Sequence, residues 1–176
     1  MSNLRPVIVA VGSTLMADDG VGVEVLERLR LRGAEGRADL IDAGLAFGDV
    51  LCDLDPHRPL AVIDAVRAGG QPGSIYRLRL DELTEQSSPS SAAISLHELS
   101  VLPALKMAAL AGVEFEDVTI FGVEPQRIEW GQPMSRSVGD AVDGIVEAVL
   151  DYLDQRGGQN ALENSSAANA ARSDNR

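Results

Sequence analysis

One cysteine, Cys52, and one lysine, Lys106, stand among 176 residues. A single thiol forms no internal disulfide and excludes a cysteine-based zinc site. Set among Val50, Leu51 and Leu54, Cys52 reads as a small buried hydrophobe. No apolar run approaches the roughly 20 residues of a membrane span, and Met1 to Val11 lacks the charged, apolar and small-residue regions of a secretory signal. The cytoplasm is therefore the expected location. Basic charge is scarce as well: 15 Lys and Arg against 27 Asp and Glu leave a net charge of -12. That balance argues against nucleic acid and against an anionic membrane, and favours cationic partners or metal.

Two familiar catalytic signatures are missing. No G-x-S-x-G elbow is present, and Ser13 lacks the flanking glycines that so sharp a turn demands. A G-x-G-x-x-G fingerprint is absent too, because Ala10 and Ser13 stand where its first glycine and its spacing are needed. A phosphoacceptor signalling domain would place acids after strands one and three around a magnesium ion. It would also need a lysine beyond the last strands to hold the phosphoryl group, where this chain offers Glu124-Pro125. An acidic metal-binding module without chemistry stays open as a further alternative.

What is present is a regular alternation of strand and helix signals, with 45% hydrophobic residues. Val7 to Val11 is an unbroken apolar, β-branched run, the pattern of a strand buried on both faces of a parallel sheet. Gly12 ends it, and a helical pattern opens at about Asp18, with Val21, Val25, Leu26 and Leu29 on one face. Short strands follow at Ala38 to Ile41 and Leu60 to Ile63, with a helix around Phe47 to Leu54 between them. Ile75 to Leu80 alternates, with Tyr76, Leu78 and Leu80 on one side and Arg77 and Arg79 on the other, as in an edge strand half open to water. A helix carrying Leu102, Leu105, Ala109 and Leu110 begins between Glu98 and Ser100, which leaves His97 at or just before its mouth. Val118 to Val123 is the last strand. Ser135 or Ser137 caps a final helix whose Val138, Val142, Ile145, Val146, Val149 and Leu153 recur at helical spacing.

These signals predict one α/β domain over residues 1–156, a three-layer doubly wound fold. Its twisted sheet has about five strands, mostly parallel, with one antiparallel edge strand and helices on both faces. From Gly157 to Arg176 nothing periodic remains, and the composition predicts a disordered tail.

In such a fold ligands sit at the carboxyl ends of the strands. A nucleotide site leaves its first helix start free of acid, whereas here that position carries Asp18 and Asp19. Asp64 closes the third strand, and the first and third strands are neighbours or near neighbours in this topology. Two carboxylates and the His97 imidazole make a donor set compatible with zinc, nickel or iron. Asp18, Asp42 and Glu124 also lie at strand ends or helix starts, so the spacing alone supports an acidic, metal-capable cleft without choosing among the acids.

The order of the motifs says more. Val9 to Gly22, with Gly12-Ser13-Thr14-Leu15-Met16-Ala17-Asp18-Asp19-Gly20-Val21-Gly22 at its centre, resembles the opening block of the [NiFe]-hydrogenase maturation endopeptidases, G-x-G-N-x-L-x-x-D-[DE]-G-x-G. Ile41-Asp42-Ala43-Gly44, Val62-Ile63-Asp64-Ala65, Gln71-Pro72-Gly73, Ser95-Leu96-His97-Glu98-Leu99 and Phe121-Gly122-Val123-Glu124-Pro125 resemble that family's later blocks, in its order. Ala10 and Ser13 depart from the usual glycine and asparagine. The resemblance covers residues 5 to 155 and implies an endopeptidase that removes a C-terminal peptide from a hydrogenase large-subunit precursor once nickel is in place. Position by position it implies Asp19, Asp64 and His97 as nickel ligands, Asp19 and Asp64 as catalytic residues, and Asp42 and Gly44 as substrate contacts. It further implies nickel carried by the precursor; no organic cofactor is expected, and the chain is expected to be a monomer.

Overall fold

β1 (Val7–Val11) is buried at all five positions, as a run of Val, Ile and Ala must be when both faces of its strand are covered. Its side chains alternate between two cores. Ile8 and Ala10 join Val25, Leu26, Leu29, Ile145 and Val149, while Val7, Val9 and Val11 join Phe47, Leu51, Leu102 and Leu105. The computed structural model in which these contacts are seen describes residues 4–81 and 101–173, with side chains through residue 158.

Four further strands complete the sheet: β2 (Asp39–Gly44), β3 (Leu60–Ala65), β4 (Ile75–Arg79) and β5 (Val118–Val123). Their order is β2-β1-β3-β5-β4. All neighbours run parallel except β4, which pairs antiparallel with β5. One face is covered by α1 (Val21–Leu31) and α4 (Arg136–Ser173), the other by α2 (Phe47–Asp53) and α3 (Val101–Leu110). The three-layer fold and the antiparallel edge strand expected from the sequence are thus observed. Among the described residues no helix is long and apolar enough to cross a membrane.

Arg28 pairs with Asp143 and Arg32 with Glu147 across α1 and α4. Exposed pairs of this kind contribute about 0–1 kcal/mol each, so the two helices are joined mainly by burial of Leu26, Leu29, Ile145 and Val149, worth roughly 1.5–3 kcal/mol per side chain. The arginine side of β4 is less open than its alternation suggests. The Arg77 guanidinium lies 5.7 Å from the ring centres of both Phe121 and Tyr152. Burial pushes the Tyr152 hydroxyl up to about 12, against an opposing pull from Arg156.

Two expectations are revised. The α-helix begins at Val21 rather than at about Asp18, because Ala17–Gly20 forms a 3-10 turn first. Cys52 is exposed: on the short α2 helix Phe47 and Leu51 take the buried face, and the next position turns about 100° away from it. The last helix continues as backbone through Gly157 and Gly158 to Ser173, and its face on the sheet ends at Leu153.

The first turn fits the sheet through glycine. A Cβ on Gly22 would lie 2.8 Å from the carbonyl oxygens of both Ile63 and Val11, so α1 starts in direct backbone contact with β1 and β3. Gly139 on α4 has nothing within 4 Å of its Cβ position. Gly22→Ala is therefore expected to destabilise the fold by about 3 kcal/mol, whereas Gly139→Ala should stabilise it by up to about 1 kcal/mol through helix propensity. Urea unfolding of the two variants checks the contrast.

Candidate active site

The rim at the carboxyl ends of β1 and β3 is built by the segment from Gly12 to Gly22. Gly12 has φ 108°, and a Cβ there would lie 2.0 Å from the Asp19 carbonyl oxygen. Only glycine allows the chain to fold back so closely. The Ser13 amide donates to Asp19 Oδ2 at 2.7 Å, which fixes a half-buried carboxylate at the mouth of the turn. The turn packs against β3, whose Asp64 is 2% exposed. Strand alternation continues from Leu60 and Val62 through Asp64, placing it on the side of α2 and α3. Asp64, at the end of β3, and Asp19, in the turn that follows β1, thus lie at the same end of two strands that pair directly.

Asp18, the other acid of the pair, has a different task. It is fully buried. Its Oδ2 accepts from the amides of Gln126 and Arg127 at 2.8 and 2.9 Å and from Ser135 Oγ at 2.9 Å, and its Oδ1 accepts from the Ser135 amide at 2.6 Å. Burial alone would raise this carboxyl, but the hydrogen bonds from Ser135, Arg127 and Gln126 outweigh it and hold the group below its ordinary value of 3.8. Ser135 also caps α4, accepting from the Val138 amide at 3.4 Å. Asp18 thereby ties both ends of the loop after β5 to the first turn. Ala17, just before it, is the one non-glycine residue with positive φ among those described, at 53°. A backbone of that kind costs of order 1 kcal/mol and is held only by surrounding contacts.

Glu124 is a second structural carboxylate. Its Oε2 accepts from the Ala68 and Gly70 amides at 2.8 and 3.1 Å and from the Tyr76 hydroxyl at 2.9 Å. Burial works to raise it, and the Ala68, Tyr76 and Gly70 bonds bring it below its ordinary value. The ambiguity among the acids is therefore reduced: Asp18 and Glu124 are enclosed by internal donors. Asp42 is exposed at the end of β2, where it accepts from the Gly44 amide at 3.0 Å, and Gly44 in turn accepts from the Gly12 amide at 3.0 Å. Those bonds join the β2 end to the same rim. His97 lies outside the described residues. Among the described residues no three His, Cys, Asp or Glu side chains converge as a metal-ligating group. The partners of Asp18 lie 108 to 117 residues away, which is why local sequence reading did not separate the roles of the two adjacent acids.

Comparison with known proteins adds an independent line. A family model described as hydrogenase maturation protease matches residues 23–152. A putative hydrogenase maturation protease of Methanocaldococcus jannaschii is 30% identical over 83% of this chain and 94% of its own length. The hydrogenase expression/formation protein HoxM of Azotobacter vinelandii is 29% identical over 85% of this chain and 72% of its own. Among solved structures, the hydrogenase maturating endopeptidase HybD from E. coli superposes with a TM-score of 0.68 at 24% identity, covering 88% of this chain and 94% of that one. The hydrogenase 2 maturation peptidase from a Thaumarchaeota archaeon superposes with a TM-score of 0.62 at 29% identity, covering 85% and 99%.

The lowered carboxyls give the pH dependence its sign. A carboxylate whose folded value lies below its unfolded one contributes stability above the unfolded value and loses it as pH falls through the folded one. Stability is expected to hold from about pH 7 to about pH 5 and to fall below about pH 4. Asp18→Asn should flatten that acid limb and cost about 1–3 kcal/mol at neutral pH. Denaturant melts between pH 3 and 7 measure both effects.

Proposed function

This chain belongs to the hydrogenase maturation protease family, and from that premise we propose that it is the endopeptidase that removes a C-terminal peptide from a [NiFe]-hydrogenase large-subunit precursor after nickel insertion. It works in the cytoplasm, as a monomer. What supports the reading is that the turn carrying Asp19 packs on β3, whose end carries Asp64, in a domain that the family model matches across most of its length.

Nickel enters as part of the substrate. Carboxylate oxygens with the imidazole of His97 suit a borderline divalent ion, and the acidic excess of the chain favours a cation at its surface. Asp19, held through Oδ2 by the Ser13 amide, is oriented before the precursor arrives, so little ordering cost falls on binding. With Asp64 and His97 it reads whether nickel is present. Bound there, the ion would supply positive charge near the scissile carbonyl. Asp19 or Asp64 takes the proton of the attacking water as that water adds to the carbonyl carbon, and the proton passes to the departing amine as the C–N bond breaks. Asp42 and Gly44, joined to the rim through Gly12, contact the substrate backbone.

Intact-mass measurement of a cognate precursor tests the reading. Wild-type protein should release one C-terminal peptide from nickel-loaded precursor and none from nickel-free precursor. Asp19→Ala and His97→Ala should leave the precursor whole, with Asp19→Ala still folded and costing no more than about 1.5–3 kcal/mol, the worth of the lost Ser13 amide bond. An uncut nickel-loaded precursor with folded wild-type protein would reject it.

A further inference from the structure

The carboxylates of the rim leave two exposed apolar side chains on the joined loops beside Asp19, Leu15 and Trp130, without a role. Trp130 is the only tryptophan in a chain with just six aromatic residues, and it is 71% exposed. Leu15, 55% exposed, lies in the first turn, four residues before Asp19. Their loops are joined where the Gly131 amide donates to the Leu15 carbonyl at 2.9 Å.

Neither loop is loose. The loop after β5 is fastened at both ends by the buried Asp18 carboxylate through Gln126, Arg127 and Ser135. Its base is closed twice more, by Arg127 Nη2 donating to the Pro133 carbonyl at 3.1 Å and by Ser137 Oγ donating to Gln126 Oε1 at 3.0 Å. The first turn is closed by the Met16 amide on the Ser13 carbonyl at 3.0 Å. Exposing a tryptophan forgoes a large hydrophobic gain, and fastening its backbone spends conformational freedom as well. The two together match a pre-ordered binding anchor, whose side chain is wide, rigid and held in place before the partner arrives.

We infer that Leu15 and Trp130 form an apolar platform on which the uncut precursor seats apolar side chains beside the bond to be cut. The inference rests on the function proposed above. Continuity selects the occupant: Leu15 and Asp19 belong to one turn, and Ser13, which holds the Asp19 carboxylate, also receives the Leu15 amide on its Oγ at 3.3 Å. A chain that brings its scissile bond to Asp19 has this platform beside it, four residues away along the same turn and one hydrogen bond across to the neighbouring loop. The acidic rim supplies attraction for the cation, and the platform supplies grip on the polypeptide that carries it.

The single tryptophan makes the test direct. Protein labelled with 5-fluorotryptophan gives one fluorine resonance from Trp130, and unlabelled precursor is silent. Titration of labelled wild-type protein with nickel-free precursor, which it does not cut, should shift and broaden that resonance to saturation. In cleavage assays Trp130→Ala should raise KM about tenfold with kcat within about a factor of two, the pattern of lost uniform binding, and Trp130→Phe should restore most of the loss. Cleavage by wild type with an unmoved resonance and an unchanged KM for Trp130→Ala would overturn the platform while leaving the protease. A moved resonance without cleavage by wild type would keep the platform and overturn the protease. Neither movement nor cleavage would overturn both.

Discussion

The tight fold of the turn at Gly12 sets the position of the acids at the rim. Gly12 lets the chain turn back until the Asp19 carbonyl occupies the space where a side chain would begin, and Gly22 lets α1 start against the carbonyls of Val11 and Ile63. Between these two contacts the segment carrying Asp18 and Asp19 has little freedom. The direct pairing of β1 with β3 then brings Asp64 to the same edge. A single methyl group at either glycine would push the turn off the sheet, so the geometry of the carboxylates is a consequence of missing side chains as much as of the acids themselves.

Two adjacent aspartates, alike in sequence, are divided by what surrounds them. Asp18 is removed from water and compensated by four donors, three of them backbone amides. Bonds to a charged group are worth about 1.5–3 kcal/mol each, enough together to offset the several kcal/mol that burying an ion costs in a protein. Its charge is thereby consumed inside the structure. Asp19 keeps partial contact with solvent and receives the Ser13 amide, so its chemistry faces outward. The same division recurs at β5, where Glu124 organises the loop after β3 and the start of β4.

Much of this was legible in the sequence. The Val7–Val11 run, the Arg77 and Arg79 alternation of the edge strand and the Ser135 cap are local signals, and each is found where it was expected. What escaped was either non-local or a matter of orientation on a short element. Asp18 finds its partners more than a hundred residues away, and nothing in its own neighbourhood announces them. Cys52 sits among apolar residues in sequence yet faces water, because a seven-residue helix buries only part of its circumference. The positive φ of Ala17 has no sequence signal, since alanine is not a residue that favours it. The role of His97, which lies outside the described residues, rests on the motif resemblance.

The central claim is that Asp19 and Asp64 act as one reader of substrate nickel. The most direct measurement is the affinity of wild type, Asp19→Ala, Asp64→Ala and the double variant for nickel-loaded relative to nickel-free precursor, by calorimetry. If the two carboxylates share one ion, either single replacement removes the preference for loaded precursor and the double removes nothing further, a non-additivity expected of groups that act together. A preference that survives in Asp19→Ala, or that falls by independent, additive steps, would contradict the account.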